Sequence, residues 1–171
     1  ITVHYVDEGI DTGDIILQKL NRIYNKDDYS TILSRASKIC AKLLYKSLLL
    51  ILNRKIKTIK QIDIDKKGSY YRKRVVGDEN INWNWNSRKI FNFVRAITLP
   101  GPCAIAFIKG NKILIKKVKI IKLKNSNAYK IREIIIKNKK IFVKTNDGII
   151  QIESYKDENN IIFNKGNFFD K

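Results

Sequence analysis

The chain has 171 residues, 44% of them hydrophobic, and carries 35 Lys and Arg against 16 Asp and Glu for a formal charge of +19. That length and apolar content suit one good-sized domain or two small ones with a buried core, and argue against a disordered chain. The charge points to a polyanionic partner (nucleic acid, membrane surface or phosphorylated substrate), although a composition rich in Ile, Lys and Asn raises lysine everywhere.

Cys40 and Cys103 are the only cysteines, which suits a reduced, cytoplasmic chain better than a disulfide framework. With His4 as the single histidine, a Cys/His zinc site is excluded and no metal is expected. The opening residues lack the basic start and apolar core of a signal peptide. "LLYKSLLLILNRK" is too short to span a bilayer and is interrupted by Lys46, so no membrane insertion is expected. The sequence contains no Met and begins at Ile1 in an apparent strand, which leads to the expectation of a missing upstream part.

In chain order, "ITVHYVD" alternates apolar and polar residues and reads as a strand. An acidic loop follows, then a second extended segment, "DIILQKLNRIY". Ser30 is expected to cap a helix over residues 31–52, with Asp27 and Asp28 near its positive end. Apolar residues at Ile32, Leu33, Ala36, Ile39, Cys40, Leu43, Leu44, Leu48 and Leu52 predict one buried stripe, with Arg35, Lys38, Lys42 and Lys46 toward solvent. Periodicity fades from about Asn53 to Asn80, where a connector is expected. "NSRKIFNFVRAI" resumes helical spacing after Asn86 or Ser87 as cap, and Pro100 and Pro102 end it. The remainder reads as four to six short strands, with bends at Gly110-Asn111 and Asn146-Asp147-Gly148. Trp83 and Trp85 are expected to pack the linker against the first domain.

"DEGIDTGDII" gathers four of the sixteen acids, Asp7, Glu8, Asp11 and Asp14, into one glycine-broken loop. The spacing is poor for a calcium loop, which wants alternate ligands and a distal Glu. Carboxylates would repel phosphate, which disfavours a phosphate loop. A tight loop whose glycines allow close approach to a ligand, with one carboxylate turned inward, stands beside the plainer reading of a solvated acidic turn.

"HYVDEGIDTGDIILQ" resembles the signature loop of the folate-dependent formyltransferases, with both glycines in place. Further on, "INWNWNSRKIFNFVRAITLPGPCA" is similar to the linker and start of that family's C-terminal domain, and "GSYYRKR" and "KTNDGIIQIES" are similar to it as well. The resemblance implies an α/β plus β fold: the C-terminal portion of a Rossmann-like catalytic domain over 1–62, a linker over 63–86, and a small OB-like β-barrel domain over 87–171. It implies 10-formyltetrahydrofolate as co-substrate and Asp11 as a catalytic proton relay. The loop residues Asp7, Glu8, Gly9, Ile10 and Gly13 would face the pterin, and His4 would stand behind Asp11. The family's catalytic Asn and His fall upstream of Ile1. Asn82 replaces the usual Asp before Trp83, and Cys103 stands where Gly is usual, implying a slightly altered turn without strain.

Two acceptors are expected from the resemblance. The wording of "NFVRAITLPGP" favours a nucleotide-linked amino sugar. Thirteen Lys and Arg between residues 109 and 144, against the single acid Glu133, would suit the phosphates of an initiator tRNA. A third reading is a non-catalytic remnant whose β domain is a binding module.

Overall fold

The computed structural model describes residues 1–122, 128–157 and 161–170. The chain divides into two units, one of residues 1–27 and 31–73, the other of residues 28–30 and 74–171.

In the first unit β1 (Thr2–His4) and β2 (Ile15–Gln18) form an antiparallel pair, with Thr2 opposite Gln18 and a register shift between Val3 and His4. Both strands are shorter than their alternating patterns suggest. Helix α1 (Tyr29–Leu52) begins one residue before the expected Ser30 cap. The Asp27 carboxylate accepts from the Tyr24 N–H and the Arg35 guanidinium. Arg35, ahead of the Tyr24 N–H, holds that carboxyl below its ordinary range, so Arg35 is not the free solvent-facing cation its position predicts.

The α1 stripe is a second correction. Of the nine residues expected to be buried, only Leu43 is; Ser47 joins it, its hydroxyl donating to the Leu43 carbonyl. Leu44, Leu48 and Leu52 are exposed. The other described elements of this unit are a two-stranded ladder and the one-turn helix α2 (Gln61–Ile64), too little surface to cover a six-turn helix.

The second unit opens with helix α3 (Ser87–Ile97), whose cap is Asn86, its side chain accepting from the Lys89 N–H. Ile90 and Val94, one turn apart, are fully buried. Five antiparallel strands follow: β3 (Ala104–Ile108), β4 (Asn111–Ile121), β5 (Ile134–Lys137), β6 (Lys140–Lys144) and β7 (Ile149–Asp157). They lie in the order β3-β4-β7-β6-β5. Among the described residues the ladders form an open sheet with β3 and β5 at its edges; no ladder closes a barrel.

The bend between β3 and β4 sits at Lys109-Gly110, one residue earlier than expected. Both residues have positive φ (50° and 76°), the pair of values that matches the twist of the flanking strands. Cys103, buried, has φ 65°. The backbone therefore keeps a left-handed turn that glycine would adopt freely, and the expectation of an unstrained cysteine is corrected. In β4 the register against β7 shifts on both sides of Lys117, a bulge in which no β7 residue stands opposite Lys116. The Thr98 hydroxyl, just past α3, donates to the Lys116 carbonyl there (2.9 Å).

The Asn146-Asp147-Gly148 turn joins β6 to β7 and also holds the start of α3. Asp147 Oδ1 accepts from the Ser87 N–H (2.7 Å) and the Ser87 hydroxyl (2.9 Å), which also meets the Thr145 hydroxyl at 2.7 Å. The Ser87 N–H, first among the causes, lowers the Asp147 carboxyl below its usual 3.8. A carboxylate so lowered adds stability above its unfolded pKa and loses it as pH falls through the folded value. Asp147→Ala is expected to cost about 2 kcal/mol at pH 7 by freeing a helix N–H and a buried hydroxyl. Urea titrations should show the gap from wild type narrowing below about pH 4; a gap constant with pH would contradict the assigned role of the charge.

Candidate active-site loop

Residues 5–14 link β1 to β2, and their shape is set mainly by the loop's own side chains. Asp7 Oδ1 accepts from the Gly9 N–H (3.1 Å) and the Thr12 hydroxyl (2.6 Å), tying the first half of the loop to the second. A Cβ on Gly9 would lie 2.0 Å from that hydroxyl, and one on Gly13 would lie 1.9 Å from the Tyr5 carbonyl oxygen. Both glycines thus make room for the loop itself. The left-handed residue is Asp11, at φ 54°, a conformation Asp tolerates better than most.

Asp11 stands at the loop tip with its carboxylate 86% exposed, 3.6 Å from His4 Nε2. His4 Nδ1 is 2.7 Å from the Tyr5 carbonyl, an acceptor, so the ring hydrogen belongs on Nδ1. Nε2 then faces Asp11, and the contact becomes an ion pair when the imidazole takes a second proton. Ile10 is 79% exposed beside Asp11, and Glu8 also lies in solvent. The structure therefore brings together His4 and Asp11, turns Asp7 inward onto the loop, and leaves Glu8 and Ile10 at the surface.

Three partners of the loop carry no sequence signal. Thr58 donates to Asp14 Oδ2 (3.0 Å), Ile59 pairs with Ile15 through two backbone hydrogen bonds, and Gln61 Nε2 donates to the Gly13 carbonyl (2.8 Å). The expected connector thus includes the loop's third wall. A cleft of about 850 Å³ opens at this place, lined by Ile10, Asp11, Thr12, Gln61, Tyr70 and Tyr71 among others. Its lining mixes apolar and aromatic side chains with the Gln61 amide and the charged groups of Asp11, Asp65, Lys66 and Lys67. Among the described residues no group of three or more His, Cys, Asp or Glu could hold a metal ion. No helix among them is long and apolar enough to cross a membrane.

Comparison with known proteins places this loop in context. The formyl transferase pattern matches residues 1–48, and the formyl transferase C-terminal domain pattern matches residues 75–171. The chain belongs to the formyl transferase family. A methionyl-tRNA formyltransferase of Fusobacterium nucleatum is 36% identical over 162 residues, covering 93% of this chain and 51% of that protein. One from Thermodesulfovibrio yellowstonii is 34% identical over 164 residues, covering 89% and 47%. The solved N-formyltransferase of Helicobacter canadensis, in complex with folinic acid and dTDP-3-aminofucose, superposes with a TM-score of 0.66. It is 23% identical, with 88% of this chain and 54% of that one covered. This formyl transferase chain spans about half the length of the curated relatives it matches.

Proposed function

We propose that the chain supplies part of the active site and the C-terminal module of an enzyme that transfers a formyl group from 10-formyltetrahydrofolate to a primary amine in the cytoplasm. The observation that carries this is Asp11: an exposed carboxylate at the tip of a self-braced loop, beside His4 and opening on the cleft. Attack of an amine on the formyl carbon gives a tetrahedral adduct with surplus positive charge on nitrogen. A carboxylate at the cleft edge takes that proton, directly or through a water, and its charge favours the ammonium as it forms. Collapse of the adduct then breaks the bond between the formyl carbon and the folate nitrogen, which takes up the proton and leaves as tetrahydrofolate. Exposed Ile10 and the backbone around Gly9 and Gly13 would face the pterin, while Asp7 holds that backbone in shape. Glu8 stays at the rim. Residues 1–62 are then the end of a Rossmann-like catalytic domain, 63–86 its linker, and 87–171 the OB-like module, its sheet open among the described residues.

For the acceptor, the linker wording favours a nucleotide-linked amino sugar. Sequence identity weighs the other way, since relatives at 34–36% identity are methionyl-tRNA formyltransferases. We place the initiator tRNA first and the amino sugar second. The basic strands favour the tRNA: Lys112, Lys117, Lys119 and Lys122 are exposed along and just after β4, and among the described residues Lys117 pairs with Glu153 at 3.2 Å.

The test is formyl transfer to Met-tRNA and to amino-sugar nucleotides, with Lys116, Lys117, Lys119 and Lys122 changed together to Gln. Lys124 of the same run lies outside the described residues. Wild-type binding to tRNA should weaken steeply with salt, and the variant should lose about one unit of that log–log slope for each phosphate contact removed. An unchanged slope would assign these lysines to solvation alone, and turnover confined to sugar nucleotides would reverse the order of acceptors.

A further inference from the structure

We propose that Gln61 is a positioning residue for Asp11, acting through the backbone of Gly13. This rests on the formyl-transfer reading for its effect on turnover, and on geometry alone for its effect on the loop.

Asp11 is two residues from Gly13, and the polar partner of its side chain among the described residues is His4 at 3.6 Å. Its location is therefore decided by how the backbone on either side is held. Toward the N-terminus, Asp7 gathers Gly9 and Thr12. Toward the C-terminus, Gly13 is wedged. On one side lies the Tyr5 carbonyl, so close that any Cβ would collide with it. The Gly13 carbonyl, in turn, is taken by the Gln61 amide at 2.8 Å. The neighbouring bonds, Tyr5 N–H to the Asp14 carbonyl (3.0 Å) and Ile15 N–H to the Ile59 carbonyl (2.8 Å), complete the frame. All of these except the Gln61 bond, the Asp7 bonds and Thr58 to Asp14 are backbone contacts. Gln61 is thus the one side chain of the third wall that grips the loop's main chain, and it also lines the cleft. An amide N–H is what the carbonyl requires; a carboxylate in its place would set two acceptors against each other.

The experiment compares Gln61→Ala and Gln61→Glu with wild type in the full chain, reading amide hydrogen exchange at Tyr5 and Ile15 from pH 4 to pH 8. In Gln61→Ala both amides should exchange about tenfold faster relative to wild type, the effect of losing one partly buried hydrogen bond. Ile150, in the core of the other unit, should keep its protection and thereby report folding. Gln61→Glu should behave as the Ala variant at pH 8 and approach wild type at the acid end, where the protonated carboxyl donates to Gly13. Unchanged exchange in Gln61→Ala, or a Gln61→Glu profile that never moves with pH, overturns the proposal. For turnover, kcat should fall about tenfold or more while KM for the formyl donor stays within about threefold. Absence of formyl transfer by an enzyme that carries this chain together with the rest of the active site would refute the functional reading, and the exchange data would still decide the clamp.

Discussion

Changing Asp11 to Asn, in an enzyme that carries this chain with the rest of the active site, is expected to lower turnover by about 10²–10⁴ while leaving the melting temperature where it is. The substitution keeps the shape of the side chain and removes only its charge and basicity. Asn adopts the left-handed region at least as readily as Asp, so the φ of 54° at this position adds no cost. The side chain is 86% exposed and the His4 ring is 3.6 Å away, so folding depends little on it. Asp11→Ala is a poorer probe, because a Cβ without a polar group is strained at that φ and the loop would shift for a second reason. Steady-state kinetics beside a thermal melt is the required measurement. Near-normal kcat in Asp11→Asn would remove Asp11 from the chemistry, and a large fall in melting temperature would recast it as a structural residue.

How much of this was readable beforehand differs between elements for physical reasons. Helix α3 was legible because its spacing, its Asn86 cap and the prolines behind it all give the same boundary. The turn after β6 was legible because Asn-Asp-Gly names it, although nothing in that tripeptide foretells that Asp147 also reaches Ser87, sixty residues away. Helix α1 shows the limit of periodicity: the apolar spacing gives the helix, yet burial depends on what packs against it, and Leu44 and Leu48 stay exposed. The acidic loop is similar. Its residues marked a site, but its shape comes from Asp7 bonding to Thr12 and from Gln61 bonding to Gly13. A two-bond bridge at Ile59 and a single glutamine have no period and no motif, so the third wall was read as connector.

Trp83→Ala is the substitution expected to damage the second unit most, by about 3–5 kcal/mol. The sequence predicts Trp83 and Trp85 packing the linker against the first domain; the structure packs both rings within the second unit. Trp83, 3% exposed, belongs to the core of the second unit, its ring stacked on Phe169 with centroids 4.6 Å apart. Trp85 meets Phe93 of α3 edge-on at 5.3 Å, with the Lys89 ammonium over its ring. The reason is backbone pairing just upstream: the Ile81 N–H donates to the Ile105 carbonyl and the Ile105 N–H to the Glu79 carbonyl, laying this segment along β3. Trp83 is thereby delivered inward beside buried Ile81. Truncating an indole at such a point leaves a cavity that Phe169, itself fully buried, fills only by giving up its own packing. The double variant with Phe169→Ala should therefore cost less than the sum of the two singles, with a coupling of about 0.5–1.5 kcal/mol for the stacked pair. Urea unfolding of the two singles and the double measures this directly. A cost below about 1 kcal/mol for Trp83→Ala, accompanied by a raised KM for an acceptor, would make Trp83 a ligand-stacking residue instead of a core residue.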